Sequence, residues 1–424
     1  MSTSSKRVVV VEGVRIPFCL SSTTYDDLLA VDLARMSLKG LITKTGLDPS
    51  MVDYLLYGNV VMEPRTSNIA REAAMHAGIP KDVPAHTVTM ACVSSNAAIS
   101  QGAEKILAGT ADVVIAGGCE TFSDAPIRYS RPLRKRLMGA SKAMKKGPAG
   151  LLKLAKGLKL KDFSPEAPQI ANYTTGEVMG HSSDRLAAKF GISRVAQDEY
   201  ALRSHENARR AHAEGYYKDE LVPVDATENG IRVSTPDQLA KLKPAFIKPH
   251  GTHTAANSSF LTDGAASVLL MSEAKALELG FKPKAVIRDF LFSAVDPFEE
   301  LLLGPTYAIS KILRKNNLQL LEIDVVEMHE AFAGQVLSNF AALGSDAFAK
   351  ANLSRDAKVG DIDVSKVNPL GGSLSLGHPF GATGARLVTT ASNRLNRDNK
   401  QFALVAACAD GGIGHATLLE NYAS

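Results

Sequence analysis

Gly46-Leu47-Asp48-Pro49-Ser50-Met51-Val52-Asp53-Tyr54-Leu55-Leu56-Tyr57-Gly58-Asn59 leaves a stretch of helical spacing and ends in an apolar run. Asn317-Leu318-Gln319-Leu320-Leu321-Glu322-Ile323-Asp324-Val325-Val326-Glu327-Met328-His329-Glu330 follows the same plan. Each passes from a helix through Gly46-Leu47 or Asn317-Leu318, then Val52-Asp53 or Ile323-Asp324, into a strand. Likewise Asp112–Gly118, a strand closed by two glycines, is echoed by Ala403–Gly412. The second half therefore reads as a repeat of the first.

Working outward, Val8 to Val11 is an apolar β-branched strand, and Asp26 to Thr43 carries helical spacing at Leu29, Leu33, Met36 and Leu41. Ser94 to Ala108 reads as a helix closed by Gly109, and Asp112 to Ala116 as a buried strand stopped by Gly117-Gly118. Strands alternating with helices predict α/β layers around a mixed or parallel sheet. From Thr121 to His250 the chain turns basic and helix-forming, which predicts an insertion. It returns to the core around Ala255 to Met271.

The 424 residues exceed one ordinary core, so two or three packed units are expected. With 45% hydrophobic and 22% charged residues, the balance is that of a soluble globular protein. A net charge of +4 is too small to imply nucleic acid. Four cysteines, Cys19, Cys92, Cys119 and Cys408, form no C-x-x-C pair and no disulfide framework, which suits a reducing compartment. There is no apolar run long enough to span a membrane. Met1 to Arg7 is short and polar, and reads as neither signal nor transit peptide.

Cys92 follows Val88-Thr89-Met90-Ala91 and precedes the helix Ser94–Ala108. A helix N-terminus stabilises a thiolate, so a lowered pKa is expected. Standing alone, such a cysteine is more often a small core residue. Three other stretches shift that balance. Gly377-His378-Pro379-Phe380-Gly381-Ala382-Thr383-Gly384-Ala385-Arg386 leaves a histidine on a tight glycine-flanked loop, where an imidazole can serve as base. The bland alternative is a helix-capping histidine. His329-Glu330-Ala331-Phe332-Ala333 follows a strand and aims a polar group from its end; alone it would be a buried, satisfied histidine. Cys408-Ala409-Asp410-Gly411-Gly412 is a glycine-rich turn whose backbone N–H groups can stabilise an oxyanion. Zinc is disfavoured, since no two of Cys92, His329, His378 and Cys408 form the short chelating pair usual in structural sites; no metal is expected.

With these residues the sequence resembles the thiolase family over nearly its whole length. The family carries a nucleophilic cysteine before a helix, an Asn- or His-Glu-Ala-Phe motif, a Gly-His-Pro-x-Gly-x-[ST]-Gly-x-[RK] motif and a Cys-x-Gly-Gly-Gly turn, in that order. Within it, His329 in place of asparagine resembles the β subunits of the mitochondrial trifunctional complexes of fatty-acid β-oxidation. So do the stretches Pro84–Cys92, Lys241–Pro249 and Gly371–Pro379. The resemblance implies the thiolase fold: two duplicated βαβαβαββ halves, α/β/α/β/α layering and an inserted loop domain. The expected boundaries are 1–122 with 251–283, 123–250, and 284–424.

It also implies thiolysis of 3-ketoacyl-CoA in two steps through an acyl group on Cys92, with His378 as base and Cys408 protonating the departing enolate. Coenzyme A is a co-substrate, and no cofactor is bound permanently. One oxyanion hole is implied from His329 and His378, the other from the backbone N–H groups of Cys92 and Asp410. Asp410 departs from the family, which has glycine or a small residue there. Ser259 matches the serine that meets pantetheine, Met179 and His181 match positions near the thioester, and Ala331 and Phe332 wall the acyl pocket. The implied assembly is a homodimer within a complex with a hydratase/3-hydroxyacyl-CoA dehydrogenase α subunit. It lies in the mitochondrial matrix at the inner membrane, with a bacterial or other cytoplasm as the alternative. A biosynthetic acetoacetyl-CoA thiolase and a non-catalytic thiolase-like scaffold or lipid carrier are the competing functions.

Arg128 to Lys161 holds no Asp or Glu. Leu151, Leu154, Ala155 and Leu158 form one helical stripe, with Lys153, Lys156 and Lys159 opposite. A basic amphipathic helix suits an anionic lipid surface or an acidic partner. A solvated face and the CoA phosphates are the other uses for such charge.

Overall fold

The computed structural model describes residues 6–145, 147–148 and 156–422. The first half runs β1 (Val8–Arg15), α1 (Ala30–Thr45), β2 (Tyr54–Gly58), α2 (Ile69–His76), β3 (Ala85–Val88), α3 (Ser94–Leu107) and β4 (Val113–Glu120). After the insertion, which includes α4 (Arg131–Met144), α5 (Met179–Lys189) and α6 (Arg194–Ala213), it closes with β5 (Thr262–Ser272). The second half runs β6 (Ala285–Ala294), α7 (Gly304–Lys315), β7 (Val325–Met328), α8 (Ala333–Leu343), α9 (Thr383–Arg397), β8 (Phe402–Ala409) and β9 (Ile413–Asn421).

Pairing repeats between the halves. Strand β2 lies parallel to β4 as β7 does to β8, and the chain then returns antiparallel through β5 or β9 to β1 or β6. The halves join where Val8–Val10 pairs antiparallel with Ala285–Ile287, giving the order β7-β8-β9-β6-β1-β5-β4-β2-β3. The aspartates of the two quoted stretches perform one task. Asp53 Oδ2 accepts from the N–H groups of Asp112 and Val113, and Asp324 Oδ2 from those of Gln401 and Phe402. In each half the carboxylate satisfies backbone donors where a parallel neighbour begins. The match is incomplete: the counterpart of β3 is reduced, among the described residues, to one parallel bridge between Val326 and Val367.

Strand side chains alternate between faces, so each strand feeds two cores. Val9 and Val11 pack outward with α1, while Val8 and Val10 pack inward with α3 and α9. In β8, Leu404, Ala406 and Cys408 join the outer core with α7, and Ala403, Val405 and Ala407 the inner one. The inner helices α3 and α9 are thus shared by both halves, which gives five layers: helices, sheet, helices, sheet, helices. This double burial explains why the strands read as continuous apolar runs.

One expectation fails. Gly117 and Gly118 do not stop β4, which continues to Glu120. They are needed for close approach: a Cβ on Gly118 would overlap the Gly381 carbonyl oxygen, and one on Gly117 that of Ala266. The insertion is fastened by Arg15, fully buried, which donates to Glu220 Oε1 at 2.7 Å and to Glu228.

Candidate active site

Cys92, His329, His378 and Cys408 come together at the carboxyl ends of parallel strands, where open α/β sheets place ligand sites. Cys92 follows β3 on a tight turn. Ala91 before it has φ +45°, a left-handed conformation costing about 1 kcal/mol for a residue with a Cβ. Ser94 holds that turn, its Oγ accepting from Met90 N at 2.8 Å and donating to the Ala91 carbonyl at 2.7 Å. His329 follows β7. Asn368 pins that strand end by donating to the Met328 carbonyl and Glu330 Oε1 while accepting from Met328 N.

The sulfur of Cys92 and one ring nitrogen from each of His329 and His378 lie within 4.8 Å of one another. The two imidazoles stack with centroids 4.0 Å apart. In each, Nδ1 is engaged, by Ser373 Oγ at 2.9 Å for His329 and by Thr383 Oγ1 at 2.6 Å for His378, while Nε2 has no partner. Burial depresses both rings, His329 to about 3 and His378 well below its ordinary value, and Arg386 adds its positive charge to the effect. Both are neutral at physiological pH, as a base and a neutral hydrogen-bond donor must be. The spacing argument against a metal loses its force, since three side chains of ligand type, Cys92, His329 and His378, meet here although distant in sequence.

The Cys92 thiol departs from expectation. Burial, then the Asp410 carboxylate, push it up to about 12, outweighing the backbone N–H groups of Asp410 and Cys92 that pull it down. Desolvation by the surrounding walls is the largest cause. The resting sulfur is therefore a thiol. Those two N–H groups are the pair the resemblance implied for an oxyanion hole. The Asp410 carboxylate is held by Asn172 Nδ2 at 2.6 Å and Gly411 N at 2.8 Å.

Cys92, His378, Cys408 and Asp410 border an apolar cavity of about 170 Å3, walled by Met179, Ser259, Ala331 and Phe332. Ser259 N donates to the Ala331 carbonyl, which seats the Asn257–Leu261 loop against the cavity wall. His329 is fully buried and meets the cluster without lining the open cavity, and His181 does not line it either. Sequence reasoning missed Ile170, Val178, Phe246, Leu302 and Phe380, which also line the wall. It also missed Glu120, whose carboxylate accepts from Asn59 Nδ2, Val60 N, Val61 N and Gly381 N and so ties the His378 loop to the first half.

The thiolase N-terminal domain matches residues 8–274 and the thiolase C-terminal domain residues 281–421. The chain belongs to the thiolase family. This thiolase is 55% identical over 423 residues to the mitochondrial trifunctional enzyme subunit beta of Mus musculus, covering 98% of this chain and 89% of that one. It is 50% identical to a probable 3-ketoacyl-CoA thiolase of Caenorhabditis elegans, covering 98% and 94%. Among solved structures, Bacillus anthracis acetyl-CoA acetyltransferase superposes with a TM-score of 0.84 at 31% identity, covering 99% and 100%. Human mitochondrial 3-ketoacyl-CoA thiolase in complex with CoA gives 0.82 at 30%, covering 98% of each chain.

Proposed function

We propose that this thiolase is a 3-ketoacyl-CoA acyltransferase of fatty-acid β-oxidation. The observation that carries the reading is the meeting of the Cys92 sulfur with two neutral imidazoles, each with a free Nε2, beside Cys408 on an apolar cavity. His378 takes the thiol proton as Cys92 sulfur bonds to the 3-keto carbon, whose oxygen meets the N–H groups of Cys92 and Asp410. Cleavage between C2 and C3 regenerates that carbonyl as a thioester on Cys92. The released acetyl-CoA enolate, its oxygen held by His329 and His378, takes a proton from Cys408. A CoA thiol then gives its proton to the Cys408 thiolate and attacks the acyl-cysteine; Cys92 leaves as a thiolate that takes back the proton held on His378, and an acyl-CoA two carbons shorter is released. Splitting one hard step into two is the gain from a covalent nucleophile. Thiolysis of 3-ketoacyl-CoA substrates of graded chain length is the test. Carbon–carbon cleavage at no chain length, or an acyl group trapped on another cysteine, sinks the reading.

Within that reading, Ser259 and Met179 contact the pantetheine and thioester, and Ala331 and Phe332 bound the acyl chain. CoA is a co-substrate and no cofactor is resident. The domain limits are those given above: 1–122 with 251–283, 123–250, and 284–424. The likeness to trifunctional β subunits supports a homodimer in complex with a hydratase/dehydrogenase α subunit in the mitochondrial matrix. Co-purification from the native source tests the complex. A basic surface from Arg128 to Lys161 would face anionic lipid. Residues 149–155, which hold most of the leucine stripe, lie outside the described residues. Support comes from α4, which buries none of its side chains, and from exposed Met138 (85%) and Leu160 (91%) among the cations. Among the described residues no helix is long and apolar enough to cross a membrane. Vesicle binding that falls with salt is the expected result.

A further inference from the structure

Two buried groups behind His329, Ser373 and Arg386, take no part in the steps above. Ser373 Oγ lies 2.9 Å from Nδ1 of His329 and accepts from Arg386 Nη2 at 3.4 Å. A guanidinium has only donors. The serine oxygen therefore receives from the arginine, and its single hydrogen, with no other acceptor in reach among the described residues, is left for Nδ1. With Nδ1 accepting, the ring hydrogen of His329 sits on Nε2. Arg386 is fixed in place by Glu327 Oε2 at 3.3 Å.

His378 is wired the other way. Thr383 Oγ1 donates to the Pro379 carbonyl at 3.1 Å, so toward Nδ1 of His378, 2.6 Å away, it can only accept. Nδ1 carries the hydrogen, and Nε2 keeps its lone pair. Which nitrogen of a histidine bears the proton is set by the partner of the other nitrogen.

We propose that Ser373, oriented by Arg386, is a positioning residue that holds His329 as an Nε2–H donor, the opposite tautomer to His378. The two stacked rings then divide the work, one donating to the enolate oxygen and the other accepting the thiol proton. With His329 in the other tautomer, its lone pair would face the enolate oxygen, and His378, carrying the thiol proton, would be left as the one imidazole donor. An asparagine at position 329 needs no such device, because its amide nitrogen donates in every state. Ser373 is thus the counterpart of having histidine there. The inference rests on the reading of His329 as an oxyanion donor.

The test is thiolysis and Cys92 alkylation by iodoacetamide in Ser373→Ala, His329→Asn, His329→Ala and the Ser373→Ala/His329→Asn pair. Ser373→Ala is expected to lower kcat about tenfold, less than the roughly hundredfold or more lost with a hole donor itself. KM and the alkylation rate should hold. In the His329→Asn background the serine change should cost less than about twofold, since coupled residues lose their interaction together. An equal loss in both backgrounds, or none in either while His329→Ala is impaired, overturns the inference and leaves the reading of His329 standing. Full activity in His329→Ala overturns both. Nitrogen-15 NMR of the unsubstituted, histidine-labelled protein gives a second readout, with the His329 signal assigned by its loss in His329→Asn. An Nε2–H tautomer supports the proposal and an Nδ1–H tautomer overturns it.

Discussion

Asp410→Asn should make Cys92 more reactive. The substitution keeps the backbone N–H aimed at the sulfur and retains an oxygen to accept from Asn172 and Gly411, so shape is preserved and one negative charge is removed. That charge is the second largest cause of the raised Cys92 pKa. A like charge close by shifts a pKa by roughly 1–3 units, and partial exposure of Asp410 places it at the low end, about one unit. One unit is ~1.4 kcal/mol and raises the thiolate fraction about tenfold at any pH below the pKa. Intrinsic nucleophilicity falls with pKa at a Brønsted slope of about 0.4–0.5, which returns a factor of about three. The net gain is about threefold. Iodoacetamide alkylation of Cys92, followed by mass spectrometry from pH 7 to 9, should show that ratio unchanged across the range, because both proteins titrate above it. A rate equal to or below the parent's would refute the argument, and would mean that Asn172 and Gly411 already neutralise the carboxylate as seen from the sulfur.

Cys92→Ala should reduce thiolysis to background while leaving the thermal midpoint within a few degrees, because a small side chain facing the cavity is lost; persistent turnover would remove Cys92 from the mechanism. Gly118→Ala should destabilise by about 3 kcal/mol and lower activity, since the added methyl drives into the Gly381 carbonyl that seats the His378 loop; denaturant melts showing no loss would contradict the contact. Stability should fall on acidification. His329 and His415 (each to about 3), His205 (to about 4) and His378 all have folded pKa values below the unfolded value of 6.5. Their stabilisation is present above pH 6.5 and lost as pH drops below it, at up to about 1.4 kcal/mol per unit per histidine. Glu120 and Glu327, raised by burial, move the other way and offset part of the loss. A thermal midpoint that is flat or rising from pH 6.5 to 5 would count against these burials.

The duplication was legible because its marks are local: Asp53 and Asp324 stand one residue before their strands and cap the same backbone donors. Cys92, His378 and Cys408 were legible because glycine-rich turns and strand ends frame them. Ser373 and Glu120 were not, since their importance lies in partners far along the chain, His329 44 residues away and Gly381 261 residues away. Gly117-Gly118 was misread for the same reason. A glycine pair marks a break in a sequence and a near neighbour in a structure, and only the neighbour distinguishes them. The Cys92 pKa went astray because a following helix shows in the sequence, whereas the walls that exclude water come from the insertion and the second half.

The close approach of Gly118 to the Gly381 carbonyl has a consequence for synthesis. The ribosome delivers the nucleophile nearly three hundred residues ahead of its base. Until the loop that opens α9 docks between the sheets, Cys92 lacks the His378 imidazole beside it, together with Cys408 and the Asp410 N–H. The site is therefore complete only once the last third of the polypeptide is sealed against the first.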